Sequence, residues 1–310
     1  LVFFGRFAGM AGMVDTLHAL GLRLRSQGFE TPFTDIRMAY KYRDIAEAKA
    51  AVETAGRRIA EQGIPEPLRP LVIGFSGYGH VSKGAQEVFD LLPHQEVEPQ
   101  ELAGLTPRRD TILHKVVFAE RDMVKPVDPE QAFDLNDYFE HPEGYHSQFE
   151  AHLPHLSVLI NGIYWDKRYP RLLTKRYLKE RWSEGRPIKM QVIGDISCDI
   201  NGSIECTEKA TESDNPIFVY HPGTDTIRDG HEGEGVVIMA VDNLPAEIPR
   251  DASQAFSQSL HPFVPAICLA DYSQPFGQLN LPPEIKNAVI CHQGQLTPSY
   301  SYLEEHLNKA

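Results

Sequence analysis

Pro70 leads into Leu71-Val72-Ile73-Gly74-Phe75, and after Ser76 the chain reads Gly77-Tyr78-Gly79-His80-Val81-Ser82-Lys83-Gly84. The first five residues are apolar without alternation, the pattern of a strand covered on both faces. The next eight match G-x-G-x-x-G with Ser82 in the third position, and the segment continues as a helix (GAQEVFDLL). The first glycine makes a tight turn, the second lets a pyrophosphate approach the backbone, and a small third residue lets helix and strand pack closely. A helix N-terminus adds unpaired N–H groups and partial positive charge. The candidate cofactor-binding residues are therefore Gly77, Gly79, His80, Val81 and Ser82. Glu98 lies 21 residues after Gly77, about the spacing at which a carboxylate meets the adenosine ribose. That residue favours NAD, whereas Arg108 and Arg109 would suit a 2′-phosphate. A strand-to-helix turn that holds no ligand is the competing reading.

Outward from this turn, strands and helices alternate. FAGMAGMVDTLHALGLRL reads as a helix with a small-residue start, and residues 43–63 as a helix closed by Gly63. Further strands are expected near 96–98, 115–119, 156–160, 190–193, 217–220 and 236–240. Further helices are expected at 174–182 and at 250–268, the last broken near Pro262 and Pro265. The polar stretch 121–155 holds short helices. This βαβ pattern gives an α/β fold: a Rossmann-type, mostly parallel sheet with helices on both faces.

The chain has 310 residues, enough for about two domains or one large α/β domain. Hydrophobic residues are 42% and charged residues 24%, which excludes a disordered chain. No apolar run is long enough for a membrane-spanning helix. Thirty Lys+Arg against 43 Asp+Glu give a net charge of −13, a field that disfavours general nucleic-acid binding. Cys198, Cys206, Cys268 and Cys291 form no C-x-x-C pair and read as reduced thiols. The opening Leu1-Val2-Phe3-Phe4-Gly5 reads as a strand under way inside a larger structure, without the pattern of a signal peptide. A cytoplasmic location follows, with the mitochondrial matrix as the alternative.

Two loops follow predicted strands and so face the ligand crevice of a parallel sheet. One carries Asp195, Asp199, Ser203 and Glu205; the other carries Asp242, Asn243 and Leu244 on the nicotinamide side. Turn and cap roles remain the alternative for both. His141, His146, His152 and His155 cluster without a zinc-binding spacing, and no metal site is expected. Ser147 and Ser197 lack a G-x-S-x-G elbow, so a hydrolase triad has no support.

FGRFAGMAGMVDTLHALG, FSGYGHVSKGAQEVF, INGIYWDKRYPRLLT, DISCDINGSIE, VDNLPAEIPRDAS and AVICHQGQLTPSYSYLEEHL together resemble the lysine–ketoglutarate reductase region of aminoadipic semialdehyde synthases, the lysine-consuming saccharopine dehydrogenases. These are similar in fold to lysine-forming saccharopine dehydrogenase, alanine dehydrogenase and the transhydrogenase domain. The resemblance implies condensation of lysine with 2-oxoglutarate and reduction of the imine to saccharopine, with NADP(H) favoured over NAD(H). It implies that Gly77, Gly79 and Ser82 hold the pyrophosphate, and that Glu98 lies by the adenosine ribose. It makes Asp199 the candidate catalytic or ribose-binding carboxylate. Asp242, Asn243 and Leu244 would line the nicotinamide pocket.

It further implies an N-terminal substrate domain bearing an acid–base lysine and histidine, which Lys41, Lys83 and His80 do not match, and a following saccharopine-oxidising domain. The expected division is residues 1–19 as the end of that substrate domain with its linking helix, 20–295 as the dinucleotide-binding domain, and 296–310 as a C-terminal helix. Two rival functions stand beside the reductase. One is another amino-acid dehydrogenase of the superfamily. The other is a dinucleotide-binding module without catalysis, which the absent lysine–histidine pair favours.

Overall fold

The computed structural model describes residues 3–106, 111–186 and 188–307. It divides into two compact units, one of Phe4–Asp251 and one formed by Phe3 with the described residues from Ala252 onward. Arg108 and Arg109 lie outside the described residues.

The larger unit is built on eight strands: β1 (Val72–Ser76), β2 (His94–Glu96), β3 (Leu113–Phe118), β6 (Val158–Asn161), β7 (Val192–Asp195), β8 (Ile217–His221), β9 (Thr226–Asp229) and β10 (Val236–Met239). Two short strands, β4 (Val124–Pro126) and β5 (Tyr145–Ser147), form a separate antiparallel ladder. The sheet order is β2-β3-β1-β6-β7-β10-β8-β9. Pairing is parallel from β2 to β10, as expected. β8 and β9 run antiparallel, because a four-residue connection can only make a hairpin.

Helices α1 (Gly5–Ser26), α2 (Ile45–Gln62) and α3 (His80–Phe89) pack on one face of the sheet, with α4 (Glu120–Met123), α5 (Leu135–Glu140) and α6 (Lys175–Ser183) toward the other. Alternate residues of the central strands feed the two cores. Ile73, Phe75, Ile160 and Val237 join the first; Val72, Leu159, Ile193 and Ile238 join the second. This explains the strands' lack of hydrophobic alternation: both faces are covered.

α1 is buried along most of its length and touches α3 backbone to backbone. A Cβ on Gly9 would overlap the Val81 carbonyl, and one on Gly84 would overlap the Arg6 carbonyl. Beyond that crossing, Gly12 faces Ile196 and Leu244, and Thr16 presses on Gly194 of β7. Arg6 makes a bidentate pair with Glu87 of α3 at 2.8 and 2.7 Å, and Lys49 of α2 meets the same carboxylate. Residues 4–19 pack within the larger unit, and the small residues that open α1 are the ones that dock it on α3. Phe3 and Phe4 are not in a strand, contrary to the reading of the first residues.

The expected helix at 250–268 is two helices, α7 (Pro249–Leu260) and α8 (Val264–Leu269). α7 stops before Pro262, and Pro265 sits in the first turn of α8, where its missing N–H costs nothing. In the smaller unit a two-residue ladder joins β11 (Cys291–His292) to β12 (Gln295–Leu296). There Gln293 Nε2 donates to the carbonyls of Tyr272 and Ser273, both at 3.0 Å. No helix of the described residues is long and apolar enough to cross a membrane.

Candidate functional site

The chain runs from β1 to β3 and β2 on one side of the sheet, and from β6 onward on the other. Neighbouring strands β1 and β6 thus send their connections to opposite sides. The crevice beyond their C-terminal ends is where α/β sheets take ligands. Four segments border it: Gly77–Ser82 after β1, Gly162–Arg171 after β6, Ile196–Glu205 after β7 and Val241–Leu244 after β10.

Gly77 has φ +77°, a conformation that suits glycine, and its N–H donates to Phe118 O at 2.9 Å. Gly79 caps α3 and faces open space: a Cβ there meets nothing within 4 Å. The first N–H bonded within the helix is that of Lys83, to Gly79 O at 2.9 Å. The N–H groups of His80, Val81 and Ser82 precede it and have no helical carbonyl to bind. His80 is exposed, Val81 half-buried and Ser82 buried. Ser82 Oγ accepts from Gln86 Nε2 at 3.0 Å, and its backbone packs so near Gly162 that a Cβ there would stand 3.2 Å from Ser82 N. The turn thus offers an uncovered glycine at a helix start, with the N–H groups of Val81 and Ser82 unbonded within the helix, which fits a pyrophosphate.

Under the crevice lies a closed polar network. Asn161, at the end of β6, donates from Nδ2 to Asp195 Oδ1 and to Ser203 Oγ, both at 2.8 Å. Its Oδ1 accepts from Ser76 Oγ of β1 at 3.0 Å. Thr207 Oγ1 donates to Asp195 Oδ2 at 2.6 Å, and Cys198 N–H to Asp195 Oδ1 at 3.2 Å. Asp195 is 1% exposed. Burial pushes its carboxyl up to about 6, against the opposing pull of these hydrogen bonds. The ends of β1, β6 and β7 are therefore tied by side chains as well as by the ladder.

Asp199 sits above this floor, half-buried, its pKa raised by desolvation, and its carboxylate accepts no hydrogen bond from a described residue. Its loop is held in shape by Cys198 and Asn201, both at positive φ, and by Gly202 N–H donating to Asp199 O at 2.8 Å. Arg171 staples the loop after β6 to it, donating to Gly202 O at 3.1 Å and Asn201 O at 3.0 Å. Cys198 Sγ donates to Ala240 O at 3.0 Å, and burial pushes the thiol up to about 12, so it is no nucleophile at neutral pH. Asp242 and Asn243 are exposed at the rim, while Leu244 is buried against Gly12 of α1.

The crevice therefore brings together Gly77, Gly79, His80, Val81, Ser82, Asp195, Asp199, Asp242, Asn243 and Leu244 at one end of the sheet. Glu98 stands apart from it. Its strand β2 is the sheet edge, separated from β1 by β3, so about 10 Å away. β2 also ends low, Val97 N–H bonding to Lys115 O, three residues short of Phe118. Glu98 itself is exposed, and its N–H is capped by Glu101 at 2.8 Å. Ser203 is buried in the network, and Glu205 accepts from Lys175 N–H at 2.8 Å, a helix-start role. Among the described residues no group of three or more His, Cys, Asp or Glu could hold a metal ion.

Three residues escaped the sequence reading. Asn161 fell just past the strand expected at 156–160 and was given no role. Arg171 stood in a loop noted only for its resemblance. Glu120 lies 43 residues after Gly77, far from the usual spacing, yet directly follows the strand that neighbours β1. Its signal was an acidic residue immediately after KVVFA.

Comparison with known proteins agrees with this architecture. The chain is 41% identical over 317 aligned positions to alpha-aminoadipic semialdehyde synthase of Arabidopsis thaliana, covering 98% of this chain and 29% of that protein. It is 37% identical over 320 positions to the mitochondrial alpha-aminoadipic semialdehyde synthase of Rattus norvegicus, covering 98% and 34%. A shorter match, 29% over 120 residues, covers 39% of the chain and 26% of alanine dehydrogenase 2 of Staphylococcus aureus (strain USA300). The chain spans about a third of the length of the synthases it matches. The profile described as Alanine dehydrogenase/PNT, C-terminal domain, matches residues 134–299, which hold β6, β7 and β10 with their crevice loops. With more than half its length under that profile, the chain belongs to the alanine dehydrogenase/PNT C-terminal domain family.

Proposed function

We propose that this chain is the nicotinamide-dinucleotide-binding part of an amino-acid oxidoreductase, and that the reaction it serves is the reductive condensation of lysine with 2-oxoglutarate to saccharopine. The observation that carries the first half is the Gly77–Ser82 turn: an uncovered Gly79 at the start of α3, where the sheet's connections diverge. The second half is supported by the likeness to the two aminoadipic semialdehyde synthases across 98% of the chain.

When bound, the dinucleotide would supply the hydride that reduces an imine. The chain's own residues have separate tasks. The N–H groups of Val81 and Ser82 bind the pyrophosphate. The Asn161–Asp195 network holds the ends of β1, β6 and β7 rigid beneath it. Asp199, half-buried and unpaired, is placed to accept a ribose hydroxyl or a proton from the reacting amine. Asp242 and Asn243 border the nicotinamide side.

Calorimetric titration with NADH and NADPH, followed by lysine and 2-oxoglutarate while reduced-nicotinamide absorbance is read, tests both halves. Binding with loss of absorbance supports the full reading. Binding without turnover supports a cofactor-holding module that relies on acid–base groups elsewhere. No binding of either nucleotide by a folded chain refutes the assignment.

A further inference from the structure

Beyond the dinucleotide crevice, we propose a second binding site at the opposite end of the sheet. It takes a small α-amino acid with an aliphatic side chain, the carboxylate toward Arg23 and the ammonium toward Gln27 and Glu234.

The site is a cavity of about 380 Å³, inside the range of small-molecule sites. Met190 and Gln191 stand just before β7 and Gly235 just before β10, and all three line it. The crevice lies past the C-terminal ends of the same two strands. Each strand is four residues long, so about 13 Å of sheet separates the two sites.

The first ground is an uncompensated buried charge. Arg23, in the last turn of α1, is 5% exposed and lines the cavity. Its Nη1 donates to His231 O at 2.9 Å and to Gly233 O at 2.5 Å, and its Nη2 to Gly235 O at 2.8 Å. These acceptors are neutral carbonyls. Its Nε meets no acceptor, and its charge meets no carboxylate among the described residues. A buried guanidinium in that state is costly, and an anion brought beside it relieves the cost. The other cation on the cavity wall, Arg186, is already paired with Glu184 at 3.0 Å.

The second ground is a pair of acceptors on the same wall. Gln27 Nε2 donates to Gln191 Oε1 at 2.8 Å, and Gln191 Nε2 to Lys189 O at 3.1 Å. Gln27 Oε1 is left to accept from a ligand. Glu234 also lines the cavity, exposed, with only His221 Nε2 near its carboxylate at 3.7 Å. An amide oxygen and a carboxylate suit an ammonium, which only donates. The third ground is an apolar wall of Trp182, Ile188 and Met190. The indole of Trp182 is pinned there. The His221 ring centroid is 4.7 Å from its own, and a Cβ on Gly223 would stand 2.5 Å from its Nε1. Anion partner, ammonium partner and fixed apolar wall together match an aliphatic amino acid.

The test is calorimetry on the full chain with L-leucine, with 4-methylpentanoate, which lacks the amine, and with 3-methylbutylamine, which lacks the carboxylate. L-Leucine should bind with a Kd of about 1 mM or tighter, and each truncated analogue at least about tenfold more weakly. Arg23→Met should weaken leucine at least about tenfold. Arg23 also clamps the His231–Gly235 loop, so Glu234→Gln, an exposed exchange that spares the fold, is the companion variant, expected to cost about threefold. Thermal melts of both variants separate lost binding from lost folding. Saturating NADH should leave the leucine affinity as it is. No leucine binding by a cooperatively melting chain overturns the proposal, as does a 4-methylpentanoate affinity equal to that of leucine. So does leucine affinity unmoved by both variants, and displacement of leucine by NADH would move the ligand to the crevice and overturn it too. Failure to bind NADH alone refutes the dinucleotide reading and leaves this site standing.

Discussion

Asn161 Nδ2 donates to Asp195 Oδ1 at 2.8 Å across the C-terminal ends of two adjacent parallel strands. The bond is buried, and it ties together the two strands whose following loops carry Arg171 and Asp199. An acidic group in this position is costly, because burial opposes its charge more strongly than its three donors favour it. The crevice floor is therefore rigid but held at some expense in stability.

The expense has a pH signature. Asp195 is raised from the usual value near 3.9 to about 6, so the folded chain binds its proton more tightly than the unfolded chain does. Stability is then greatest below the unfolded value and is lost as pH rises through about 6. The loss amounts to about 3 kcal/mol for a shift of about two units. Urea unfolding across that window should show this decline. Asp195→Asn should flatten it, since the amide oxygen still accepts from Asn161 and the Cys198 N–H while its NH2 can donate to Thr207.

A second buried pair acts in the same direction. Asp15 of α1 is 0% exposed and Glu247, just after the Asp242–Leu244 segment, 3%. Asp15 Oδ1 accepts Ala39 N–H at 2.8 Å, but Asp15 Oδ2 and both Glu247 oxygens meet no donor. The two carboxyls face each other, and only a shared proton lets them bond. Burial, then the Glu247 charge, raises Asp15 well above the ordinary carboxylate range. Its stabilising contribution is thus present at low pH and lost as pH rises through that raised value. Glu247→Gln supplies a permanent donor, and should stabilise the chain by about 1 kcal/mol at neutral pH. Denaturant midpoints at about pH 5 and about pH 8 measure it: the gain should be larger at the higher pH. An equal or smaller gain there removes the shared proton from the account.

The strand Leu71–Phe75, the glycine turn and the helix after it could be read directly, because each is fixed by local chemistry: apolar runs, φ requirements and an N-terminus. The α/β class followed from their alternation. The strand order could not be read. Nothing in His94–Glu96 says that it pairs with β3 rather than β1, since that depends on long-range packing. Counting about 20 residues from Gly77 therefore pointed at Glu98, while the topology brings Glu120 to the turn. The place of α1 was hidden for a related reason. Gly9, Ala11 and Gly12 announce a close approach without naming the partner, and the partners are Val81, Ile196 and Leu244. Asn161 was invisible because a polar residue ending an apolar strand looks like a turn residue until its neighbours are known.

The glycines of the α1–α3 crossing carry a stability prediction. A Cβ at Gly84 collides with the Arg6 carbonyl, which is backbone and cannot swing away as a side chain would. Gly84→Ala should therefore push the two helices apart and cost about 2–4 kcal/mol, the range of overpacked core positions and beyond. Thermal unfolding should show a clear drop in midpoint, with the Arg6–Glu87 pair loosened as well. A midpoint within error of the parent would mean that α1 does not dock on α3 at this distance.

Gly79 gives the opposite expectation from the same turn. Its backbone is extended, at φ −72° and ψ −172°, so a side chain brings no strain, and a Cβ there meets nothing within 4 Å. Gly79→Asp should fold and melt like the parent. Its carboxylate would nevertheless stand at the start of α3, over the N–H groups of Val81 and Ser82, and satisfy them as a capping aspartate does. A pyrophosphate would then meet negative charge in place of donors. Dinucleotide affinity should fall by at least about a hundredfold, the scale of a few kcal/mol for losing charge-assisted bonds and adding like charge. Calorimetry on the parent and the variant, each checked by its melt, separates the two effects. Unchanged affinity in a well-folded Gly79→Asp chain would move the phosphates away from this helix start, and with them the role given to the turn.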